Sequence, residues 1–211
     1  MIDPDLLRRA LGQHGPLSER SDGRLNQFAA LVQKWNPSIN LVSRSALADL
    51  WHRHILDSIQ LFGCAEPKHR LWLDIGSGGG FPGIVIAILA AEVLPELRVV
   101  LVESDKRKAV FLAEVVRQLG LTVVVHAARV EDLVKQKACV VSARALAPLP
   151  VLCGLAYGQL ADDGICGFLK GASVEAEIQE ARKSWRFDLD QVPSVTDSRS
   201  SVLFLRGLRH V

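Results

Sequence analysis

The stretch Asp74-Ile-Gly-Ser-Gly-Gly-Gly-Phe-Pro-Gly83 decides how the rest of the chain is interpreted. It follows the apolar run 70–75, which has the composition of a buried strand, and it leads into a segment with helical spacing over 82–94. Glycines at such a turn let the backbone bend sharply and approach a ligand closely. The motif therefore predicts an α/β protein with a ligand site at the carboxyl end of this strand.

Working outward from this turn, short apolar runs alternate with amphipathic stretches. Strands are predicted at 70–75, 98–103, 121–126, 138–142 and 165–169, and helices at 82–94, 106–119, 148–160 and 173–184. Two further runs, 186–192 and 201–206, follow each other without a helix and predict a hairpin at one edge. The alternation indicates a Rossmann-like, doubly wound, mostly parallel sheet of seven strands.

The chain before the first strand has a helical pattern. Leu25, Phe28, Leu31, Val32 and Trp35 form one apolar stripe, and the segment 51–62 carries a second. Pro37 disfavours helix at the residue before it, so a break between the two helices is expected at 36–40. We therefore divide the chain into an N-terminal helical cap, 1–66, and an α/β domain, 67–211.

Composition narrows the classes of protein. The 211 residues are 49% hydrophobic and 23% charged with a net charge of +2, which excludes a disordered chain, a collagen and a coiled coil. The four cysteines form no C-x-x-C pair, so neither a metal site nor a disulfide framework is predicted. The longest apolar stretch, 81–91, is too short to span a membrane, and residues 1–5 lack a signal core. A cytoplasmic location is expected.

The acidic residues around the turn indicate an adenosine-containing cofactor. Glu103 ends the next strand, where a carboxylate can accept both hydroxyls of a ribose. The glycines also satisfy the dinucleotide pattern G-x-G-x-x-G over 78–83, so a nicotinamide cofactor is one alternative. Asp74 favours S-adenosylmethionine (SAM), whose methionine amino group it could hold directly or through water. The third alternative is a tight turn with no ligand.

Over most of its length, the chain resembles the bacterial small-subunit ribosomal RNA guanine-N7 methyltransferases, the RsmG or GidB family. The resemblance covers residues 25–205. It is carried by the glycine turn and by Lys34-Trp35-Asn36, Asn40-Leu41-Val42-Ser43, Arg53-His54-Ile55-Leu56-Asp57-Ser58, Glu103-Ser104, Lys106-Arg107-Lys108, Phe111-Leu112, Arg129-Val130-Glu131, Ser142-Ala-Arg144-Ala145 and Leu169-Lys170-Gly171. It implies a class I SAM-dependent methyltransferase that modifies N7 of guanine 527, in the 530 loop of 16S rRNA in the small ribosomal subunit.

The resemblance also implies which residues bind SAM. Family members contact the cofactor through residues that match Gly76, Phe81, Val130, Glu131 and Arg144 here. Together with the rest of the turn and the two acidic residues, the predicted cofactor site is Asp74, Gly76, Ser77, Gly78, Phe81, Glu103, Val130, Glu131 and Arg144.

Guanine N7 has a free lone pair and loses no proton on methylation, so no general base is expected. Arg144 and Arg129 are predicted to position the reactants without facing N7.

Contacts with the RNA are predicted at three cations and one aromatic ring. Lys106, Arg107 and Lys170 are predicted to bind RNA phosphates. The ring that stacks on the guanine is predicted to be Phe81, Trp35 or His54. His54 and Asp57 either dock the helical cap onto the sheet or reach the cofactor. A monomer without metal is expected.

Two other classes of function remain as alternatives. A small-molecule methyltransferase would use the same cofactor turn but would be indifferent to salt, whereas binding to RNA weakens steeply as salt rises. A non-catalytic RNA-binding scaffold would tolerate substitutions in the turn.

Overall fold

The computed structural model describes residues 4–211. Its helices are α1 Pro4–Leu11, α2 Glu19–Ile39, α3 Arg44–Leu47, α4 Leu56–Phe62, α5 Gly83–Val93, α6 Lys106–Leu119, α7 Leu149–Gln159 and α8 Val174–Ala181. Its strands are β1 Leu71–Ile75, β2 Arg98–Val102, β3 Val123–His126, β4 Ala138–Arg144, β5 Leu160–Lys170, β6 Trp185–Pro193 and β7 Ser201–His210. Residues 1–3 of the predicted helical cap lie outside the described part.

The strands form one seven-stranded sheet in the order β3-β2-β1-β4-β5-β7-β6. The first five strands are parallel, and β7 runs antiparallel to both β5 and β6. This confirms the predicted doubly wound sheet and the terminal hairpin. The strand order reverses between β1 and β4, and ligands bind at this point in open α/β sheets.

Two hydrophobic layers cover the sheet. Along β1, Trp72 joins the layer that contains α1, α2, α4, α5 and α6, whereas Leu71 and Leu73 join the layer that contains α7 and α8. This division follows from the alternation of side chains along a strand. Because the N-terminal helices share a core with α5 and α6, residues before β1 help to form the same layer as the helices that flank the glycine turn.

One predicted break is wrong. Helix α2 continues through Pro37 to Ile39. The proline lacks the N–H that would donate to the carbonyl of Gln33, so one hydrogen bond of the last turn is lost. The helix ends two residues later, before Asn40, which has the left-handed conformation with φ 49°. The side chain of Asn36 then accepts a hydrogen bond from Val42 N at 2.8 Å, which fixes the chain beyond the helix.

The last four strands, β4 to β7, are longer than predicted. Strand β4 extends to Arg144, so this arginine ends the strand instead of following it, and β5 begins at Leu160. Pairing with β5 extends β4, since Ala143 and Arg144 lie opposite Phe168 and Leu169. The extension holds Arg144 rigidly at the carboxyl edge of the sheet.

Candidate active site

The glycine turn after β1 is tied to the neighbouring strand. Ser77 N donates to the carbonyl of Val102 at 3.0 Å, which continues the β1–β2 pairing into the turn. Gly76 has φ 64°, a left-handed conformation that other residues rarely adopt, and a Cβ there would lie 2.5 Å from Leu146 Cδ1. The turn therefore needs glycine both for its conformation and for the space beside Leu146.

The carboxylate of Glu103 fixes the turn from the next strand. Its Oε2 accepts a hydrogen bond from Gly78 N at 2.7 Å, and its Oε1 accepts one from Asp105 N at 2.8 Å. Glu103 is buried but lines the cavity that opens above the turn. Since each carboxylate oxygen has two lone pairs, both can accept a second hydrogen bond from a ligand.

Asp74 lies beneath the turn and does not line this cavity. It is fully buried, and its Oδ1 accepts a hydrogen bond of 2.6 Å from Ser142 Oγ, which in turn accepts one of 2.8 Å from Trp72 Nε1. Burial raises the pKa of Asp74 to about 6, although the hydrogen bond from Ser142 opposes the change. Its Oδ2 is buried without a hydrogen-bond partner among residues 4–211. The carboxylate therefore supports the turn from below, and its contact with the cofactor, directly or through water, stays a prediction.

The cavity above the turn has a volume of about 420 Å³, within the range of small-molecule sites. It lies at the carboxyl ends of β1, β2 and β4, with the segment before α3 forming the opposite wall. Its walls are lined by Leu41, Val42, Ser43, Ala46, His54, Gly76, Ser77, Gly78, Gly79, Phe81, Glu103, Ser104, Lys108, Arg144, Ala145 and Leu146. Six of the nine predicted cofactor residues are therefore brought together.

An aromatic pair forms part of the wall. The rings of His54 and Phe81 stack with centroids 5.0 Å apart, and Phe28 supports Phe81 from behind at 4.9 Å. His54 belongs to a π-helical turn, Trp51–Ile55, immediately before α4. Such turns are often found at functional sites because the extra residue redirects side chains.

The imidazole of His54 is neutral. Burial, followed by the positive charges of Arg144 and Arg53, lowers the pKa of His54 to about 3. Neither ring nitrogen has a hydrogen-bond partner among residues 4–211. A ring in this state is too weak a base to remove a proton at neutral pH, and it can contact a ligand without adding positive charge.

Arg144 is anchored at the end of β4. Its Nη2 donates to the carbonyl of Arg53 at 2.7 Å and lies 3.8 Å from Asp57 Oδ2, while Nη1 is buried without a partner in the part of the chain described. Burial lowers the pKa of the guanidinium. The next residue, Ala145, has φ 51°, and non-glycine residues held in this conformation are frequent at functional sites.

Asp57 forms the clasp that was one of its two predicted roles. Its Oδ1 accepts hydrogen bonds of 2.7 Å from Ser194 Oγ and from Thr196 Oγ1, in the loop between β6 and β7. One turn later, Gln60 Nε2 donates to the carbonyl of Pro193 at 2.8 Å. Helix α4 is thereby joined to the terminal hairpin.

The ammonium group of Lys170 is not free to bind an RNA phosphate. Its side chain is 8% exposed, and Nζ lies 2.5 Å from Glu177 Oε2 and 3.0 Å from the carbonyl of Ala147, which accepts its hydrogen bond. Glycine beside it suggested an open approach, but α8 places Glu177 over the ammonium group. The predicted phosphate contact is therefore wrong for this residue.

The other predicted RNA residues lie at the surface. Lys106 and Arg107 are exposed at the beginning of α6, where Asp105 caps the helix and lies 3.5 Å from the Arg107 guanidinium. Lys108, the next residue, lines the cavity itself. The basic triplet thus lies at the rim of the site.

Arg129, Val130 and Glu131 lie away from the cavity walls. Val130 is buried in the layer with α7 and α8, and its carbonyl accepts a hydrogen bond of 3.2 Å from Gln159 Nε2. Arg129 and Glu131 are exposed around the short helical turn that follows β3. The contact of Val130 and Glu131 with the cofactor stays a prediction from the family resemblance, and the positioning role of Arg129 also stays a prediction.

Leu41, Ala46 and Leu146 line the cavity without having been assigned to the site. Leu41 approaches the turn so closely that a Cβ on Gly79 would lie 3.2 Å from its carbonyl oxygen. Leu41 belongs to the block Asn40-Leu41-Val42-Ser43, which is one of those that carry the family resemblance. Single apolar residues in loops or in a one-turn helix give no periodic pattern, so sequence alone does not place them at this cavity.

Residues 4–211 include no helix that is long and apolar enough to cross a membrane. Within the same range, no group of three or more histidine, cysteine, aspartate or glutamate side chains is arranged to hold a metal ion.

Comparison with known proteins identifies the relatives of this chain. The family model described as GidB, rRNA small subunit methyltransferase G, matches residues 22–203. A protein of Cereibacter sphaeroides named ribosomal RNA small subunit methyltransferase G is 52% identical over 195 residues, 92% of this chain and 95% of that protein. One of the same name from Paracoccus denitrificans is 42% identical, covering 90% and 97%.

Solved structures show the same fold. The O-methyltransferase TomG of Streptomyces achromogenes, in complex with SAM, superposes with a TM-score of 0.55 at 14% identity, covering 98% of this chain and 99% of that one. TYW2 of M. jannaschii in complex with AdoMet gives a TM-score of 0.55 at 11% identity, covering 81% and 78%. At these identities the similarity extends to the class I methyltransferase fold alone.

Proposed function

Because the chain belongs to the GidB family, rRNA small subunit methyltransferase G, we propose that it methylates N7 of one guanine in 16S rRNA, guanine 527 of the 530 loop. SAM is the methyl donor in this family. The observation that supports N7 as the acceptor is the chemistry of the cavity wall. His54 is neutral and nonbasic, and both oxygens of Glu103 already accept backbone hydrogen bonds.

The cavity residues fit SAM. Glu103 has acceptor capacity left for two ribose hydroxyls, and Gly76 and Gly78 bring the backbone of the turn to the cavity wall. The unpartnered Nη1 of Arg144 would donate to the methionine carboxylate or to the acceptor base. When bound, SAM supplies an electrophilic methyl group on a positively charged sulfur.

The residues of this chain then act by positioning. Guanine N7 attacks through a lone pair in the plane of the ring, so no side chain has to remove a proton. The rate depends on holding the two reactants in line and close together. Since the methylated base becomes positively charged, the neutral state of His54 and the pairing of Arg144 with Asp57 avoid an added repulsion.

Phosphate binding is proposed at the rim of the cavity. Lys106 and Arg107 are exposed there beside Lys108, and cations in such positions neutralise RNA phosphates without reading sequence. Arg53 and Arg199 line a separate groove of about 520 Å³, on the far side of Arg144 from the cofactor cavity. The two groups of cations flank the point where β4 ends.

We further propose that residues 1–66 form a cap over the SAM-dependent domain, 67–211. The described part of the cap supplies Leu41 and His54 to the cavity wall. In this proposal the enzyme acts as a metal-free monomer on the small ribosomal subunit in the cytoplasm, where Arg129 also contacts the substrate.

The test is methyl transfer from labelled SAM to small ribosomal subunits that lack the modification, followed by nucleoside analysis. We expect label in 7-methylguanosine at one site, with activity that falls steeply as salt rises. Alanine substitution of Lys106 and Arg107 should reduce this salt dependence without changing SAM affinity. Label in another nucleoside, or tight SAM binding with no transfer to RNA, would contradict the proposal.

A further inference from the structure

A second cavity, of about 300 Å³, lies beside the first. The two share Arg144 and Ala145, which form the wall between them. The second cavity is bounded by the carboxyl ends of β4 and β5 and by the loop that joins β6 to β7. Asp57, Lys170 and Ser194 contribute polar groups to its lining.

We propose that this second cavity binds the target guanine after it leaves its stacked position in the RNA, and that Asp57 selects guanine by accepting hydrogen bonds from N1–H and the N2 amino group. The inference rests on the proposed function and adds the residue that recognises the base. Enzymes that modify a base in structured nucleic acid commonly extrude it into a pocket and read its Watson–Crick edge.

The contacts of Asp57 leave one oxygen available. Oδ1 accepts hydrogen bonds from Ser194 and Thr196. Among residues 4–211, Oδ2 has only Arg144 Nη2 near it, at 3.8 Å, beyond hydrogen-bond distance. The two hydroxyls prevent the carboxylate from rotating. Asp57 thus offers Oδ2 as a fixed acceptor, with a side chain that is 12% exposed.

A fixed carboxylate distinguishes guanine from adenine. Guanine presents two adjacent donors, N1–H and the N2 amino group, on its Watson–Crick edge. Adenine has an unprotonated N1 at the corresponding position, and its lone pair would face a carboxylate oxygen. A site that hydrogen-bonds one ligand discriminates strongly against an analogue that would leave its buried polar group unpaired.

Arg144 would set the orientation of the base. Its Nη1 has no partner among the residues that the structure describes, and guanine O6 is an acceptor next to N1. With Asp57 at N1 and Arg144 at O6, the next atom around the edge is N7. It would therefore lie toward the wall shared with the cofactor cavity, where methyl transfer has to occur.

The charges of the second cavity favour a base over a phosphate. Its two cations are both paired with carboxylates, Lys170 with Glu177 at 2.5 Å and Arg144 with Asp57 at 3.8 Å. A phosphate site requires cations in excess, because the anion has to be neutralised. A neutral, polar ring with donors and acceptors is the ligand that such a lining complements.

The test uses small subunits reconstituted with inosine in place of the target guanine, which removes only the N2 amino group. We expect the wild-type kcat/KM to be about 10- to 100-fold lower for inosine than for guanine, the range of one hydrogen bond to a charged group. In Asp57→Asn the rate on guanine should fall to near the rate on inosine. The variant would then no longer discriminate between guanine and inosine. Loss of the clasp alone would lower both rates and leave their ratio unchanged.

Asp190→Asn is the matched control, since Asp190 is exposed on β6 and lines neither cavity nor the groove of Arg53 and Arg199. It should keep the wild-type ratio between guanine and inosine. Equal wild-type rates on the two substrates, or a ratio unchanged by Asp57→Asn, would overturn the assignment and leave the proposed function standing. Absence of wild-type transfer to guanine itself, with SAM still bound, would overturn both.

Discussion

The buried carboxyl group of Asp74 should make the stability of this protein depend on pH in an unusual direction. Burial raises the pKa of Asp74 from 3.8 to about 6. One pKa unit corresponds to about 1.4 kcal/mol, so ionisation costs the folded state about 3 kcal/mol relative to the unfolded chain. The folded state holds its proton between these two pKa values while the unfolded state has lost it. This contribution to stability is therefore present at low pH and is lost as the pH rises toward 6.

Asp74→Asn removes the ionisation and keeps an oxygen that can accept from Ser142. The free energy of unfolding of the variant, minus that of the wild type, should increase by about 2 kcal/mol between about pH 4 and about pH 7.5. Urea unfolding followed by circular dichroism measures this difference, and effects of other groups common to both proteins cancel. A lost hydrogen bond would shift this difference equally at every pH. The change of the difference with pH, and not its absolute value, therefore tests the ionisation of Asp74.

Ser142→Ala is the control for the hydrogen bond. It keeps the carboxyl group of Asp74 but removes the donor that favours its ionised form. Its stability should fall with rising pH at least as steeply as in the wild type. Parallel curves of stability against pH for Asp74→Asn and wild type would show that this reasoning about Asp74 is incorrect.

Three other substitutions test contacts of the site. Glu103→Gln should weaken SAM binding about 10- to 100-fold by calorimetry, since a charged acceptor for the ribose is lost; unchanged affinity would exclude the ribose contact. Gly83→Ala places a methyl group 2.3 Å from Leu101 Cδ2 and should lower the free energy of unfolding by about 1–3 kcal/mol, with a wild-type melting temperature as the contrary result. Lys170→Ala leaves Glu177 without its cation and should cost about 3 kcal/mol in urea unfolding. A loss of only a few tenths, typical of exposed pairs, would show that this ion pair is solvated.

Local patterns predicted the α/β core closely. Helix α6 begins and ends at the predicted residues, 106 and 119, because an acidic cap precedes it and a glycine in the left-handed conformation follows it. The glycine turn and Glu103 were also placed correctly at one cavity. In these cases the decisive interactions join residues that are close in sequence or that lie at the ends of neighbouring strands.

Features of the site that depend on contacts between different elements of the fold could not be predicted from the sequence. The ammonium group of Lys170 meets the carbonyl of Ala147, 23 positions earlier, and Glu177 of α8, and no local pattern in the sequence predicts either contact. The depth of Asp74 beneath the turn depends on Trp72 and Ser142, which meet only when β1 pairs with β4. Sequence periodicity therefore located the site but did not separate ligand contacts from supporting ones.

The clasp between α4 and the terminal hairpin has a consequence for the timing of maturation. Asp57 is joined to Ser194 and Thr196, which follow it by 137 and 139 positions. While the chain is being synthesised, α4 has left the ribosome long before these partners are made. His54 and the cap wall of the cofactor cavity thus lack their final anchor in the nascent chain. The enzyme consequently completes its active site only after its own translation has passed the β6–β7 loop.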